Sequence, residues 1–370
     1  MSDDFDVTTI PLAPDLFPAD ATRTLLRNAD FTVEAFRYIT GIEGLKIRNR
    51  RGEIVALPYL GQMIWSATFD GRSLGMGNSF SAPRHGASIL EAYGAFAYHA
   101  GLLRNGTPGP EDSHPLHGEM PVARMDSASL HLGRDRSGTY IELRSQYEYV
   151  MGFGAHYLAS PRIRLGADQG VMDIEMQVEN LSAHPMELMY MLHANFDFAA
   201  DARIHQPAPF DPEHTRVRDT VPGHVTPSAE FTALLADLAR NPARMEYLSE
   251  PEIYSPEQVF YIKSPGTDQD GNTRLAMEFP QGDAVSVAYS TRDFPHCVRW
   301  ILNDGDAQVA AFALPSTCEP EGYTAEKAKG HVRMLAPKEI ARFPVTLGHL
   351  NPAEAARTFD QIATLQGEKN

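Results

Sequence analysis

Three residues far apart in the chain carry side chains able to move protons between oxygens. They are His117 in Leu116-His117-Gly118-Glu119, His193 in Met191-Leu192-His193-Ala194-Asn195-Phe196, and Glu319 in Cys318-Glu319-Pro320. A carboxylate can take a proton from a hydroxyl while an imidazole gives one to a second oxygen, and burial and neighbours tune both groups towards neutral pH. His193 sits in the most informative segment. With period two, Met186, Leu188, Tyr190, Leu192, Ala194, Phe196 and Phe198 share a core face, while Glu187, Met189, Met191, His193, Asn195 and Asp197 share the other. That second face turns from apolar to polar along its length, which suits a ligand rich in hydroxyls. A lone histidine there would more often be a satisfied core residue. Asn195 adds a second hydrogen-bonding side chain on the same face.

His117 follows a Gly- and Pro-rich loop, 101–115, and loops commonly deliver functional side chains. The spacing of His114 and His117 raises a metal pair, but Pro115 breaks any helix there and no acidic or Cys cluster adjoins. No metal is expected. Glu319 comes after the apolar run 309–314, where a strand should run into a loop, and Pro320 restricts the backbone beside it. A glutamate next to proline is ordinarily just solvated. As a base it belongs in a semi-buried pocket that raises its pKa. Arg104 and Asn105, and the pair Arg299 and Trp300, are secondary candidates for binding: arginine donates several hydrogen bonds, and an indole offers a flat face or simply fills core.

Short strands must position these residues. A hairpin is expected over 42–57, with Ile42, Leu45 and Ile47 answered by Ile54 and Leu57. A strand over 62–69 puts Met63, Trp65, Ala67 and Phe69 on one face before the turn Asp70-Gly71. Further strands are expected at 128–132, 139–144, 171–178, 186–198, 257–263, 274–279, 284–289, 297–302, 308–314 and 338–346. Turn residues between them favour antiparallel sheets over βαβ units, and no Gly-rich phosphate loop follows a strand. The stretch 199–256 reads as an insertion, a lid or rim element, with a helix near 228–241 carrying Phe231, Leu234, Leu235 and Leu238. A tail helix over 351–366 has Asn351 as cap, Pro352 in its first turn and Glu354 closing a capping box. Its stripe of Ala355, Phe359, Ile362 and Ala363 packs on the body or binds a partner.

Composition sets the outer bounds. The 370 residues, 43% hydrophobic and 22% charged, describe an ordinary globular protein, and large β-sandwiches of this length form one unit. A net charge of −16 argues against nucleic acid and anionic membranes as partners. Two cysteines, Cys297 and Cys318, make no disulfide framework, the first residues are acidic where a leader is basic, and no apolar run is long enough to span a bilayer. A cytoplasmic location follows as the expectation, with the oligomeric state open between monomer and homodimer.

The order Leu-His-Gly, then His-x-x-Phe at the end of an apolar strand, then a late Glu-Pro, resembles the aldose 1-epimerase (galactose mutarotase) superfamily, and within it a divergent bacterial branch. The resemblance spans about residues 40–348. It implies an all-β fold, a large antiparallel β-supersandwich with a few peripheral helices, here a single unit over 1–370 with an N-terminal extension 1–36. It implies an isomerase that interconverts the α and β anomers of a small-molecule sugar without a cofactor. Glu319 would then act as base on the anomeric hydroxyl, His193 as acid to the ring oxygen, and His117 as a polarising group. Arg104, Asn105, Asn195, Arg299 and Trp300 would bind the sugar. Two departures affect the hydroxyl-binding shell: Ala194-Asn195-Phe196 follows the second histidine, and Glu119 stands where the family commonly has a second glycine. A non-catalytic sugar-binding protein and a lyase-like sugar enzyme are the competing readings.

Overall fold

Period-two alternation and frequent turns give this chain two large antiparallel sheets, seen in a computed structural model that describes residues 5–221 and 226–367. The acidic start, 1–4, and residues 222–225 of the expected insertion lie outside the described part. The first sheet runs in the order Phe5–Leu12, Ser127–Asp135, Gly138–Val150, His156–Gly166, Val171–Asn180, Ile340–Leu350, Ala284–Ser290, Asn272–Glu278 and Arg203–His205. The second runs Thr215–Val217, Gln258–Ile262, His296–Asn303, Gln308–Ser316, Met186–Ala194, Ala97–Leu102, Met63–Phe69, Gly52–Leu57, Glu43–Arg48, Thr32–Arg37 and Arg23–Arg27. The fold is an all-β supersandwich with peripheral helices.

Facing side chains of the two sheets form the main core. Ile174, Met176 and Val178 of one meet Leu188, Tyr190 and Leu192 of the other within a single apolar cluster. The second sheet is also covered on its outer face, where Tyr98, Met191, Val259, Val298, Trp300 and Leu314 form a second cluster. A sheet buried on both faces needs apolar residues at successive positions, which is why the strand Gln308–Ser316 reads as an almost unbroken run, VAAFAL.

Local corrections have local causes. In Met63–Phe69, Met63 and Trp65 face the outer cluster but Ala67 and Phe69 face the core, because a bulge pairs Ala56 with Ile64 and Val55 with Ser66. The N-terminal segment, expected as an extension, contributes strands to both sheets: Phe5–Leu12 pairs with Ser127–Asp135, and Arg23–Arg27 and Thr32–Arg37 extend the second. A helix at Tyr323–Lys329 carried no sequence signal of its own. The helix Ala229–Arg240 starts where Ser228 Oγ accepts the Phe231 amide. The tail helix Pro352–Gly367 is capped reciprocally, Asn351 Oδ1 accepting from Glu354 N while Glu354 Oε2 accepts from Asn351 N. Its buried side is Ala355, Thr358 and Ile362, with Phe359 stacked on His205; Ala363 is exposed.

One buried core group makes the sandwich acid-sensitive. His99 lies on the core side of Ala97–Leu102 with Nδ1 2.8 Å from the Tyr190 hydroxyl, and burial pushes its pKa down to about 3. An unfolded histidine titrates near 6.5, so between these values the unfolded chain binds the extra proton. The stability is fully present above the unfolded value and falls as pH drops towards the folded one. Between about pH 6.5 and 4, His99→Gln is expected to lose roughly 3 kcal/mol less stability than the parent, at ~1.36 kcal/mol per unit. Urea unfolding at the two pH values measures it; equal losses would mean His99 takes up its proton without unfolding.

Candidate functional site

Strand register brings the two histidines together. His193 pairs with Tyr98 across Met186–Ala194 and Ala97–Leu102, and the two rings stack at 4.7 Å and 10°. His117 arrives on the loop that leaves the Ala97–Leu102 strand. Its backbone N–H donates to Gly106 O, its carbonyl accepts from Gly101 N, and Gly118 N donates to Pro115 O. Glu119 pins the loop further: one carboxylate oxygen accepts from Leu102 N, Leu103 N and the Tyr157 hydroxyl at 2.8–2.9 Å. The imidazoles end with centroids 5.0 Å apart at 70°.

Both histidines line a cavity of about 380 Å³ on the outer face of the second sheet, whose wall also includes Tyr93, Arg218, Glu257, Trp300, Thr107 and Pro320. Burial, with His114 adding repulsion, pushes the His117 pKa down to about 4. Burial first and His117 second hold His193 well below the usual histidine range. Both are therefore neutral near pH 7. His117 Nδ1 donates to Asn105 Oδ1 at 3.3 Å, which fixes its tautomer and leaves Nε2 as an acceptor. His193 Nδ1 is buried with no hydrogen-bond partner.

The expected residues divide. His117, His193 and Trp300 line the cavity, and Asn105, fully buried, stands behind His117 and orients it. The other four do not contribute to the wall. Arg104 turns away, its guanidinium 3.7 Å over the Tyr323 ring and paired with Glu187 at 3.1 Å. Arg299 is buried on the core side of its strand, donating to Phe312 O and Gln206 Oε1. Asn195 donates to Ala95 O at 2.9 Å and so braces the loop before Ala97–Leu102.

Glu319 does not line this cavity. It lies behind Pro320, clamped between Lys263 and Lys329, with Lys329 Nζ at 2.8 Å. Burial pushes its pKa up, but the two ammonium groups outweigh this and hold it down to about 2. That is the reverse of the raised pKa expected of a base. Glu319, Glu326 and His331 converge closely enough to suggest a metal site. The cation there is already Lys329, which bridges both carboxylates at 2.8 Å.

The carboxylate on the cavity wall is Glu257, which the sequence reading missed. It begins the Gln258–Ile262 strand region and accepts from Trp300 Nε1 at 2.5 Å. Trp300 in turn lies edge-on to His193, centroids 5.8 Å apart. A glutamate following the exposed Ser255 and the half-buried Pro256 carries no local signal; the cross-strand pair Val259–Trp300 brings it to the site. Tyr93, edge-on to both His193 and Trp300, was missed for the same reason.

Residues 40–348 match the family described as Domain of unknown function (DUF4432). The chain belongs to that family. No curated protein matches the sequence. Among solved structures, this DUF4432 protein is similar to a "putative aldose 1-epimerase" from Klebsiella pneumoniae, with a TM-score of 0.78 at 18% identity, covering 99% of this chain and 97% of that one. It is also similar to a galactose mutarotase-like protein from Clostridium acetobutylicum, with a TM-score of 0.59 at 12% identity, covering 88% of this chain and 100% of that one. These likenesses establish the fold of the DUF4432 chain as that of the aldose 1-epimerase (galactose mutarotase) superfamily. Among its described residues, no helix is long and apolar enough to cross a membrane.

Proposed function

We propose that this protein is an aldose mutarotase, interconverting sugar anomers by acid–base opening and closing of the ring. The observation that carries this reading is the grouping of two buried imidazoles and one carboxylate, Glu257, on the wall of a single cavity. Glu257 takes the anomeric proton as the bond from C1 to the ring oxygen breaks, and His193 gives a proton to that oxygen. Rotation about C1–C2 and the reverse transfers then close the other anomer, so no net proton is consumed. His117 orients the sugar by accepting a hydroxyl hydrogen at Nε2, its Nδ1–H being held by Asn105, and Trp300 fixes the carboxylate while offering an apolar surface. No cofactor enters the scheme. The charge of −16 and two buried free thiols support a cytoplasmic isomerase acting on a free sugar, with neither nucleic acid nor membrane as partner.

Anomeric exchange by NMR, across neutral, acidic, deoxy and phosphorylated aldoses, tests the activity. Acceleration of any one sugar by the parent protein supports the isomerase. Sugar binding without acceleration would make it a carbohydrate-binding protein on this fold.

The pH profile tests the acid. The free-enzyme pKa of His193 lies well below 6.5, so the protonated form required by the scheme is the minor one at neutrality. Its fraction falls tenfold per pH unit above the pKa, and kcat/KM should decline with rising pH across neutrality once the uncatalysed rate is subtracted. A flat profile from pH 6 to 8 would instead assign His193 as an acceptor.

A further inference from the structure

The tail helix Pro352–Gly367 covers a second concavity, about 260 Å³ in volume, that shares no wall residue with the cavity of the two histidines. Glu354, Arg357, Thr358 and Gln361 recur at helical spacing, so one face of the helix lines it. The body supplies Arg51 from the turn before Gly52–Leu57 and Arg274 from the strand Asn272–Glu278. Most of the charge around this recess is already balanced. Arg51 pairs with Glu354 at 2.7 Å and with Asp70 at 2.5 Å, and Arg72 pairs with Asp283 at 2.6 Å. His349 reaches Asp70 and Asp283, each at 2.9 Å. Three basic side chains thus answer three carboxylates. Arg274 and Arg357 stand outside that network. Arg274 is half-buried and donates to the neutral amide oxygen of Gln361. Among the described residues neither guanidinium has a carboxylate partner. Burial alone moves the Arg274 pKa, downwards, with no anion opposing it. A chain carrying −16 overall leaves two cations unanswered in one recess.

We propose that this recess binds a phosphate group, as the free ion or as the monoester of a small metabolite. Two unpaired guanidinium groups call for two negative charges, and a phosphate monoester carries about −1.5 to −2 near neutral pH where a carboxylate carries a single one. Each guanidinium fork can give two parallel N–H···O bonds to one oxyanion. Half-burial of Arg274 strengthens such bonds, because the local dielectric is lower than that of water. Gln361 adds a neutral donor: its oxygen is held by Arg274, which leaves its amide N–H groups for a further phosphate oxygen. The wall comes from both the helix and the sandwich, so a bound phosphate ties one to the other and raises the stability of the folded chain. The site is independent of the sugar chemistry, and no bond is made or broken in it.

Calorimetry and thermal melts of the full chain test it, with inorganic phosphate, glycerol 3-phosphate and acetate compared at constant ionic strength. Saturable binding of either phosphate, with a rise in Tm that acetate does not reproduce, is the expected result. The tighter of the two names the source, free ion or monoester. Arg357→Gln, at an exposed helix position, should weaken that binding by about tenfold or more, as loss of a hydrogen bond to a charged group does. Arg274→Gln should do the same, and Arg357→Gln carries the test if Arg274→Gln melts early. Arg27→Gln, on the edge strand Arg23–Arg27 of the other sheet, is the control and should change the affinity less than about twofold. Absence of saturable phosphate binding overturns the proposal, and so does acetate binding as tightly as phosphate. Equal weakening in Arg357→Gln and Arg27→Gln also overturns it, because general charge and not this recess would then hold the anion.

Discussion

Glu257→Gln is expected to lower kcat/KM for anomeric exchange by about 10²–10⁴-fold, the range supplied by a positioned general base. The amide keeps the size and the hydrogen bond from Trp300 Nε1, now 2.5 Å from Oε2, so folding and sugar affinity should change little. Glu319→Gln is expected to do the opposite. It removes the partner of Lys263 and Lys329, costing roughly 1–3 kcal/mol for a buried hydrogen-bonded charge, while exchange stays within about tenfold of the parent. The reasoning is one of proton affinity. A carboxylate held down to about 2 by two ammonium groups is a weak base, and neutralising those lysines would be required before it could accept a proton from a hydroxyl. Steady-state exchange and thermal melts of both variants decide the matter. Loss of exchange in Glu319→Gln with Glu257→Gln unaffected would return the base to Glu319 and require the Pro320 segment to open.

Gly118→Ala should cost both fold and activity. Gly118 has φ +78, and a Cβ built there would lie 2.0 Å from Arg104 O and 2.6 Å from Gly101 O, backbone atoms that cannot swing aside. Gly330→Ala provides the control, because φ is +77 but the space around it is open. The control isolates the left-handed conformation, roughly 1–2 kcal/mol; Gly118→Ala adds displacement of the loop and should exceed about 3 kcal/mol. His117 is the adjacent residue and would move with the loop. Misplacement by ~1 Å costs about a hundredfold in rate, so exchange should fall at least that far even at temperatures where the variant is folded. Equal melting curves for the two variants, with full exchange in Gly118→Ala, would show that the loop is packed loosely and does not position the histidine.

Much of the architecture was legible because alternation is a local property. Met172, Ile174, Met176 and Val178 share a face whatever the rest of the chain does, and all four are buried in the inter-sheet core. The same rule placed His193 opposite Leu192, on the outer face where the cavity lies. It also held information that went unused. Arg299 and Trp300 are neighbours on a strand and cannot share a face. Since Trp300 lines the cavity, Arg299 had to point into the core, where it meets Gln206. Asn105 and Arg104 part in the same way, one to His117 and one to Tyr323.

By itself, then, the sequence determined the strands, the sandwich class, and the two histidines that meet across their elements. Tertiary structure decided which carboxylate joins them. Glu319 and Glu257 look equally ordinary in the chain, each beside a proline at the end of a strand. Only the pairing of Val259 with Trp300 brings Glu257 to the wall, and only the convergence of Lys263 and Lys329 withdraws Glu319 from it. Proton affinity is set by which charges lie within a few ångströms, and that distance is fixed by register between strands far apart in sequence.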